Sequence, residues 1–398
     1  MHDVFFLMAI TYIIALGIGH LLQKYFRMPW MFAPLFIGLI FSPLGLFKAT
    51  IESDTFKLLE TLGMYFLLFI IGFSLDFRRI AKLKKYVVFG TLVIISFEGF
   101  FGSLLLYLGF PAEVNHSFLV ALVTALSFAT VGEAILLPIL HEFRVTRTKF
   151  GQLTLGIGTL DDIVEVLMLA VVGVLPRFLP NVPTNSLPDP LFILSGLGCL
   201  LFLTGTFIKF GGSVKRILEK NHPPPYIASL LTLLVCFSFI AIGGFFFESL
   251  ATVGAIFGGM VFRALLPKER LYQNERAVEF LGYIFLSPLF FLSVGASVSI
   301  ASLLVNPLLI MLIWAVSKNS KIIASFLLFR KLLGTKYSLL LGLGLSVRFS
   351  TSLIIIFNLL NSGLISVTLY SVLTATAIFM KPVIIGLYSW KLSSEKPP

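Results

Sequence analysis

Charge is what this sequence lacks. Lys, Arg, Asp and Glu together make up 12% of 398 residues, against about 25% in a soluble domain. About half of the expected solvated surface is therefore missing, which excludes a cytosolic enzyme and a disordered chain. Cysteine is scarce as well. Cys199 and Cys236 both lie in apolar runs, without CxxC or metal-ligand spacing, so a disulfide scaffold is excluded. No HExxH, GxSxG or P-loop pattern occurs. The start, Met1-His2-Asp3, has no basic stretch ahead of its first apolar run, so residues 4–22 are expected to be a retained span and not a cleaved signal peptide.

What is present is apolar. Hydrophobic residues reach 58%, Phe alone occurs 42 times, and mean hydropathy is +1.00. At about 20 apolar residues per span, the chain is expected to be an all-α polytopic membrane protein. Thirteen candidate helices lie near 4–22, 29–47, 56–75, 86–109, 115–140, 150–175, 190–210, 226–244, 248–266, 277–298, 303–329, 338–361 and 363–390. The weakest boundary is at Gly243-Gly244; Pro, Gly or charge clusters mark the others.

Loop charges test this division. Thirty basic residues face 19 acidic ones, an excess that reads as cytoplasmic loops and not as nucleic-acid binding in a chain of this composition. With thirteen helices, 23 of the 30 basic residues fall on one side of the membrane, from Lys24 and Arg27 to Lys391 and Lys396, and three on the other, Lys48, Lys57 and Arg177. The positive-inside rule then puts the N-terminus outside and the C-terminus in the cytoplasm, with the chain in the cell's inner (plasma) membrane. Lys318, Lys321, Arg348 and Lys381 are left inside spans.

Proline-rich stretches at 176–190 and 221–225 bracket helix seven. They divide a single transmembrane domain, 1–398, into repeats of about 1–176 and 226–390, with a linker helix at about 190–210. Residues 66–74 resemble 289–297, and Ser127 to Thr130 resembles Ser346 to Thr351. The shift of seven helices is odd, so corresponding helices run in opposite directions: two inverted six-helix repeats, an architecture of secondary transporters.

Ionisable residues inside a membrane are functional candidates by default, because a charge at the bilayer centre costs on the order of 3 kcal/mol or more. Several lie close to their helix midpoints: Glu98 in helix four, Glu133 in helix five beside Thr130, Asp161 and Asp162 in helix six, and Arg348 in helix twelve. Lys318 and Lys321 lie a turn or less from the middle of helix eleven. At 100° per residue Glu165 falls between Asp161 and Asp162, giving one polar stripe that cannot face lipid. Two adjacent carboxylates in a low-dielectric site cannot both ionise cheaply unless a cation is near. Such a pair is suited to exchanging a proton for a metal cation, so Asp161 and Asp162 are the expected cation ligands. A charge-paired strut between helices is the plainer alternative. Either Lys318 or Lys321 can neutralise Asp161 in the absence of a cation, while Lys381, near the inner end of the last helix, is expected to snorkel. Small polar interruptions at 127–132 and 346–351 suit unwound backbone, which is tolerated at that depth only in protein or beside a cavity. Crossed broken helices would aim free carbonyls at one point, with Arg348 and Glu98 or Glu133 compensating the helix ends.

Three segments, Phe69 to Asp76, Thr159-Leu160-Asp161-Asp162 and Ser287 to Gly295, resemble the transmembrane domain of bacterial monovalent cation:proton antiporters, the Kef-type and sodium/proton branch. The likeness extends over nearly the whole chain. It implies a thirteen-helix homodimer, a dimerisation domain beside a six-helix core with two crossed, discontinuous helices. It further implies that Asp162 is the ion carrier, that Asp161 pairs with a helix-eleven lysine, Lys321 by its spacing to Leu332-Leu333-Gly334, and that Thr130 sits at the break of helix five. Where many relatives carry Pro-Arg-Gly-Glu on helix twelve, this chain reads Ser346-Val347-Arg348-Phe349-Ser350: the arginine is kept and the glutamate lost. The sequence stops at Pro398, so no cytosolic nucleotide-binding domain is expected. The expected activity is exchange of Na⁺, more than K⁺, for protons across the bilayer, electrogenic in the manner of the aspartate-pair branch, with no cofactor. Three rivals stand beside it. A membrane prenyltransferase would hold Mg²⁺ on Asp161-Asp162-x-x-Glu165, but would want a second copy of the motif near a helix end. A same-fold symporter for an organic anion would want cations at the site, and the membrane domain of a channel or sensor is the third.

Overall fold

The computed structural model describes residues 2–26, 30–74, 83–131, 136, 139–140, 143–146, 148–175, 190–221, 224–247, 250–266, 276–347, 350–379 and 381–394. Among them there is no strand. In chain order the helices are α1 (His2–Phe26), α2 (Phe32–Leu44), α3 (Asp54–Ser74), α4 (Lys84–Leu104), α5 (Phe118–Phe128), α6 (Lys149–Val174) and α7 (Pro190–Asn221). There follow α8 (Pro225–Phe246), α9 (Leu250–Leu265), α10 (Ser287–Ala296), α11 (Pro307–Leu345), α12 (Ser350–Asn361), α13 (Val367–Phe379) and α14 (Lys381–Ser394). Wider π turns extend α4 over Leu105–Gly109 and precede α10 over Phe280–Leu286. Pro225 and Pro307 open α8 and α11, where a missing N–H costs nothing. Ser117 caps α5 by accepting from the Val120 N–H.

Among the described residues seven helices are long and apolar enough to cross a membrane: His2–Tyr25, Asp54–Phe73, Lys85–Gly109, Leu191–Arg216, Tyr226–Phe246, Arg276–Ala296 and Pro307–Leu345. The chain is thus an all-α polytopic membrane fold. The 26-residue α6 is also long enough, but it carries Asp161, Asp162 and Glu165. At 11 and 12 residues, α5 and α12 are short because each ends or begins at an interruption seen in the sequence.

One local expectation needs correction. Helix seven does not stop near 210 but continues to Asn221: Lys209, Lys215 and Arg216 take the helix out of hydrocarbon without ending it. The boundary expected around Gly243-Gly244 falls just beyond it, between Phe246 and Leu250; a Cβ on Gly243 would lie 2.2 Å from the Leu250 carbonyl oxygen, so this glycine admits a neighbouring backbone. The spans expected at 303–329 and 338–361 part at Gly334, between them. Residues 307–345 are helical apart from Gly334, whose φ of 78° breaks the run. A Cβ at Gly342 would lie 2.5 Å from Ile322 Cα, so the two arms fold back on each other at a turn that glycine adopts readily.

Contacts divide the chain into two compact units. One comprises residues 1–12, 47–75 and 169–293. Its centre is α9, buried along nearly its whole length and packed against α3, α7 and α8. The approach is backbone to backbone: a Cβ on Gly72 would meet the Ile256 carbonyl oxygen at 1.9 Å, and one on Gly259 the Phe69 carbonyl oxygen at 2.1 Å. Between apolar helices in lipid such small-residue contact drives association. Arg263 donates to the Phe73 carbonyl at 3.0 Å, satisfying an end carbonyl of α3.

The other unit comprises residues 13–46, 76–168 and 294–398, and so takes matching parts of both halves of the sequence. Here α4 packs against α5 and α11, and α12 against α5 and α13. Its core includes Val87, Ile94, Phe150, Leu153, Ile157, Phe329, Leu341 and Tyr388. The connections at one end are tied together: the Asn115 amide donates to the Gly363 carbonyl at 2.9 Å, and the Ser366 hydroxyl donates to the Glu113 carboxylate. This unit carries every mid-depth ionisable residue singled out in the sequence.

Candidate functional site

The site forms where two helices stop. α5 loses its helical pattern after Phe128, leaving Thr130 and Val131 outside the helix, and α11 ends at Leu345. Free carbonyls at helix C-termini carry partial negative charge, and one ammonium serves both. Lys321 Nζ donates to the Thr130 carbonyl at 2.8 Å and to the Leu345 carbonyl at 2.7 Å. Lys321 is fully buried. The other half of the same peptide unit, the Val131 N–H, donates to Asp161 Oδ2. A single peptide thus lies between a lysine and an aspartate, its oxygen towards the cation and its N–H towards the anion, the favourable orientation of its dipole.

Glu98, with Glu133 one of two candidates to compensate the helix ends, lies beside Lys321: its Oε2 is 3.4 Å from Nζ, and both side chains are buried. Its other oxygen accepts from the Ser317 hydroxyl. Ser317 and Lys321 are four residues apart on α11 and so share a face, the signal by which Ser317 was legible in the sequence and missed. Asp161 and Glu165 are buried, as their common stripe requires. The Thr130 hydroxyl is buried without a hydrogen-bond partner, beside the peptide that joins Lys321 to Asp161. Lys318 is elsewhere: its ammonium lies over the Trp314 ring, 4.5 Å from the centroid, one turn back along α11. Asp162 is in α6 by its backbone, but its side chain lies outside the described residues, as do Glu133 and Arg348.

The chain therefore offers a buried array in the order Glu98, Lys321, the Thr130–Val131 peptide, Asp161. The arrangement brings buried opposite charges together around one peptide.

Residues 8–388 match the family described as the sodium/hydrogen exchanger, transmembrane. The Na(+)/H(+) antiporter of Enterococcus hirae is 27% identical over 396 residues, covering 96% of this chain and 97% of that one. The glutathione-regulated potassium-efflux system protein KefC of Salmonella schwarzengrund is 25% identical over 302 residues, 75% of this chain; the chain spans about half, 46%, of that relative. In fold the chain is similar to the sodium proton antiporter MjNhaP1 from Methanocaldococcus jannaschii, with a TM-score of 0.61 at 18% identity over 99% of both chains.

Proposed function

The chain belongs to the sodium/hydrogen exchanger family, and we propose that it carries Na⁺ in exchange for protons, electrogenically, through the carboxylates of Asp161 and Asp162. It is a secondary active transporter working by alternating access, not an enzyme. The observation that carries the site assignment is the Thr130–Val131 peptide held between Lys321 and Asp161. It supports a cation site at the aspartate pair beside the break in α5, where the Thr130 hydroxyl would help to complete a cation's shell.

In this reading Asp162 is the carrier and Asp161 its fixed neighbour. A proton and a cation compete for the same anionic oxygens, so loading one releases the other. Lys321 remains an ammonium throughout, its charge held by Glu98 and two carbonyls, and keeps both broken ends in register. Lys318, parked on Trp314, stands apart from this work. Glu165, on the same stripe as the pair, sets the local field, and Glu133 and Arg348 compensate the opposite helix ends.

The finer architecture belongs to the same proposal: thirteen spans in two inverted repeats, about 1–176 and 226–390, around the linker helix, with the N-terminus outside, the C-terminus cytoplasmic and two copies forming a homodimer. The loop-charge alternation and the interruptions of α5 and α12 support it. K⁺ is the second reading, favoured by the potassium-efflux relative. The experiment is dequenching of a pH-sensitive dye in proteoliposomes challenged with Na⁺, K⁺ and Li⁺ in turn. Na⁺ is expected to move protons at the lowest concentration, and a response to K⁺ alone would transfer the assignment to potassium.

A further inference from the structure

We propose that Tyr388 is a positioning residue of the exchange site: its ring, wedged between Gly344 and α6, fixes the Leu345 carbonyl on which Lys321 rests, and through it the affinity for the transported cation. The proposal rests on the exchange reading above. Tyr388, in α14, is fully buried. A Cβ on Gly344 would lie 2.5 Å from its Cε2 and 2.9 Å from its Cζ, so the ring lies directly on the backbone one residue before Leu345. Only glycine leaves room for it there.

The last turn of α11 is clamped from both sides. Gly342 and Gly344 are two residues apart in it, and at 100° per residue they point about 200° from each other. A Cβ on Gly342 would lie 2.7 Å from the Lys321 carbonyl oxygen, so the first arm of α11 closes that side and the Tyr388 ring closes the other. Just past this clamp the Leu345 carbonyl accepts from Lys321 Nζ at 2.7 Å. The same ammonium holds the Thr130 carbonyl, and the N–H of that peptide reaches Asp161.

Tyr388 also meets the helix that carries the aspartates. Its ring stacks on Phe150 of α6, with centroids 6.2 Å apart and planes inclined by 29°. Phe150 in turn meets Tyr337, on the same arm of α11 as Gly344, edge-on at 6.0 Å. Phe150 and Asp161 both belong to α6; eleven residues separate them, so they share a face to within about 20°. The ring pair therefore sets the spacing between α6 and the end of α11, the elements that supply Asp161 and the Leu345 carbonyl. A buried ring in close-packed surroundings does not yield without moving its neighbours. A change at Tyr388 or Gly344 thus shifts the carbonyl, and with it Lys321 and the peptide that Lys321 holds.

The test measures apparent KM for Na⁺ and maximal rate in proteoliposomes of the full chain. The proteins are the unaltered one, Tyr388→Phe, Tyr388→Leu, Gly344→Ala and the double variant Tyr388→Leu, Gly344→Ala. Tyr388→Phe keeps the ring and is expected to keep KM. Gly344→Ala drives a methyl group into the ring and Tyr388→Leu removes the ring; each is expected to raise KM roughly tenfold, the weight of one hydrogen bond to a charged group. In the double variant the alanine methyl occupies space the ring has left, so KM should return towards the unaltered value. A merely structural role would reduce the amount of folded protein, and so the maximal rate, and leave KM alike in all of them. An unchanged KM in both single variants, or a double variant with a higher KM than either, overturns the proposal. Should Gly344→Ala not fold, the contrast between Tyr388→Leu and Tyr388→Phe decides. Thermal unfolding tests the same link without transport: Tyr388→Leu should lower Tm less in a Lys321→Met background than in the unaltered protein, and equal losses refute it. Absence of Na⁺-driven proton flux in the unaltered protein would overturn the exchange reading and leave that link to be read from the Tm values.

Discussion

Replacing Lys321 by methionine keeps the length of the side chain and removes its charge and three donors. The loss can be worked from the contacts. Glu98 would be left buried beside an apolar group, and breaking a buried ion pair costs about 3–5 kcal/mol. The Thr130 and Leu345 carbonyls would lose their donor, at about 1–3 kcal/mol for each group left unmet. These terms share one ammonium and do not add, so about 3–5 kcal/mol is the lower expectation, a fall in Tm on the order of 10 °C. The assay is thermal unfolding of the purified, detergent-solubilised protein for Lys321→Met, Glu98→Gln and the double variant. The double variant should recover part of the loss, because it no longer buries an unpaired carboxylate; the two carbonyls remain unmet. Asp161→Asn added to Lys321→Met is the control, and should recover less. A Lys321→Met protein that melts within about 2 °C of the unaltered one, or a rescue by Asp161→Asn that exceeds that by Glu98→Gln, would refute the assignment of Lys321 to Glu98 and the two helix ends.

Asp162→Asn should abolish Na⁺-dependent proton flux while leaving a folded protein, checked by dye dequenching alongside circular dichroism; normal exchange would remove Asp162 as carrier. Asp161→Ala strands the Val131 N–H and should destabilise by about 1–3 kcal/mol, measured by thermal unfolding, whereas Asp161→Asn keeps an acceptor and should be milder. Lys318→Ala removes only a cation–π contact, worth roughly 0.5–1 kcal/mol, and should leave the KM for Na⁺ unchanged in proteoliposomes. Gly259→Leu drives a side chain into the Phe69 carbonyl 2.1 Å from where its Cβ must sit, and should prevent recovery of folded protein by size-exclusion chromatography.

The sequence disclosed depth better than direction. Helix midpoints put Asp161 and Glu98 at mid-span and Lys321 somewhat to one side, and all three side chains are buried in the protein. The small polar runs at 127–132 and 346–351 coincide with the ends of α5 and α11, because serine, threonine and glycine compete least with unwound backbone at that depth. Depth does not tell which face of one helix meets which face of another. Hence depth leaves Glu98 and Glu133 as equal candidates to compensate the helix ends with Arg348, and the contact of Glu98 with Lys321 is visible only in the packing of α4 and α11. The resemblance to known antiporters selected Lys321 over Lys318, a choice that the spacing of the two lysines left open. The expected end of helix seven near 210 failed for a different reason: lysines that end a hydrophobic run do not end a helix. Gly243 and Gly334 show the ambiguity of glycine, the first admitting a close backbone, the second a turn at positive φ.

The central claim is that Na⁺ and protons compete within one buried cluster of carboxylates. Apparent KM for Na⁺, measured in proteoliposomes between about pH 6 and 9, addresses it directly, since the apparent midpoint belongs to the coupled cluster and not to one residue. At acid pH the carboxylates hold protons and KM is high. As pH rises the protons leave, KM should fall by about tenfold per unit for each competing proton, and it should level off once the cluster is deprotonated. A KM for Na⁺ that stays constant across that range would mean that protons and cation do not compete, and would contradict exchange at the aspartate pair.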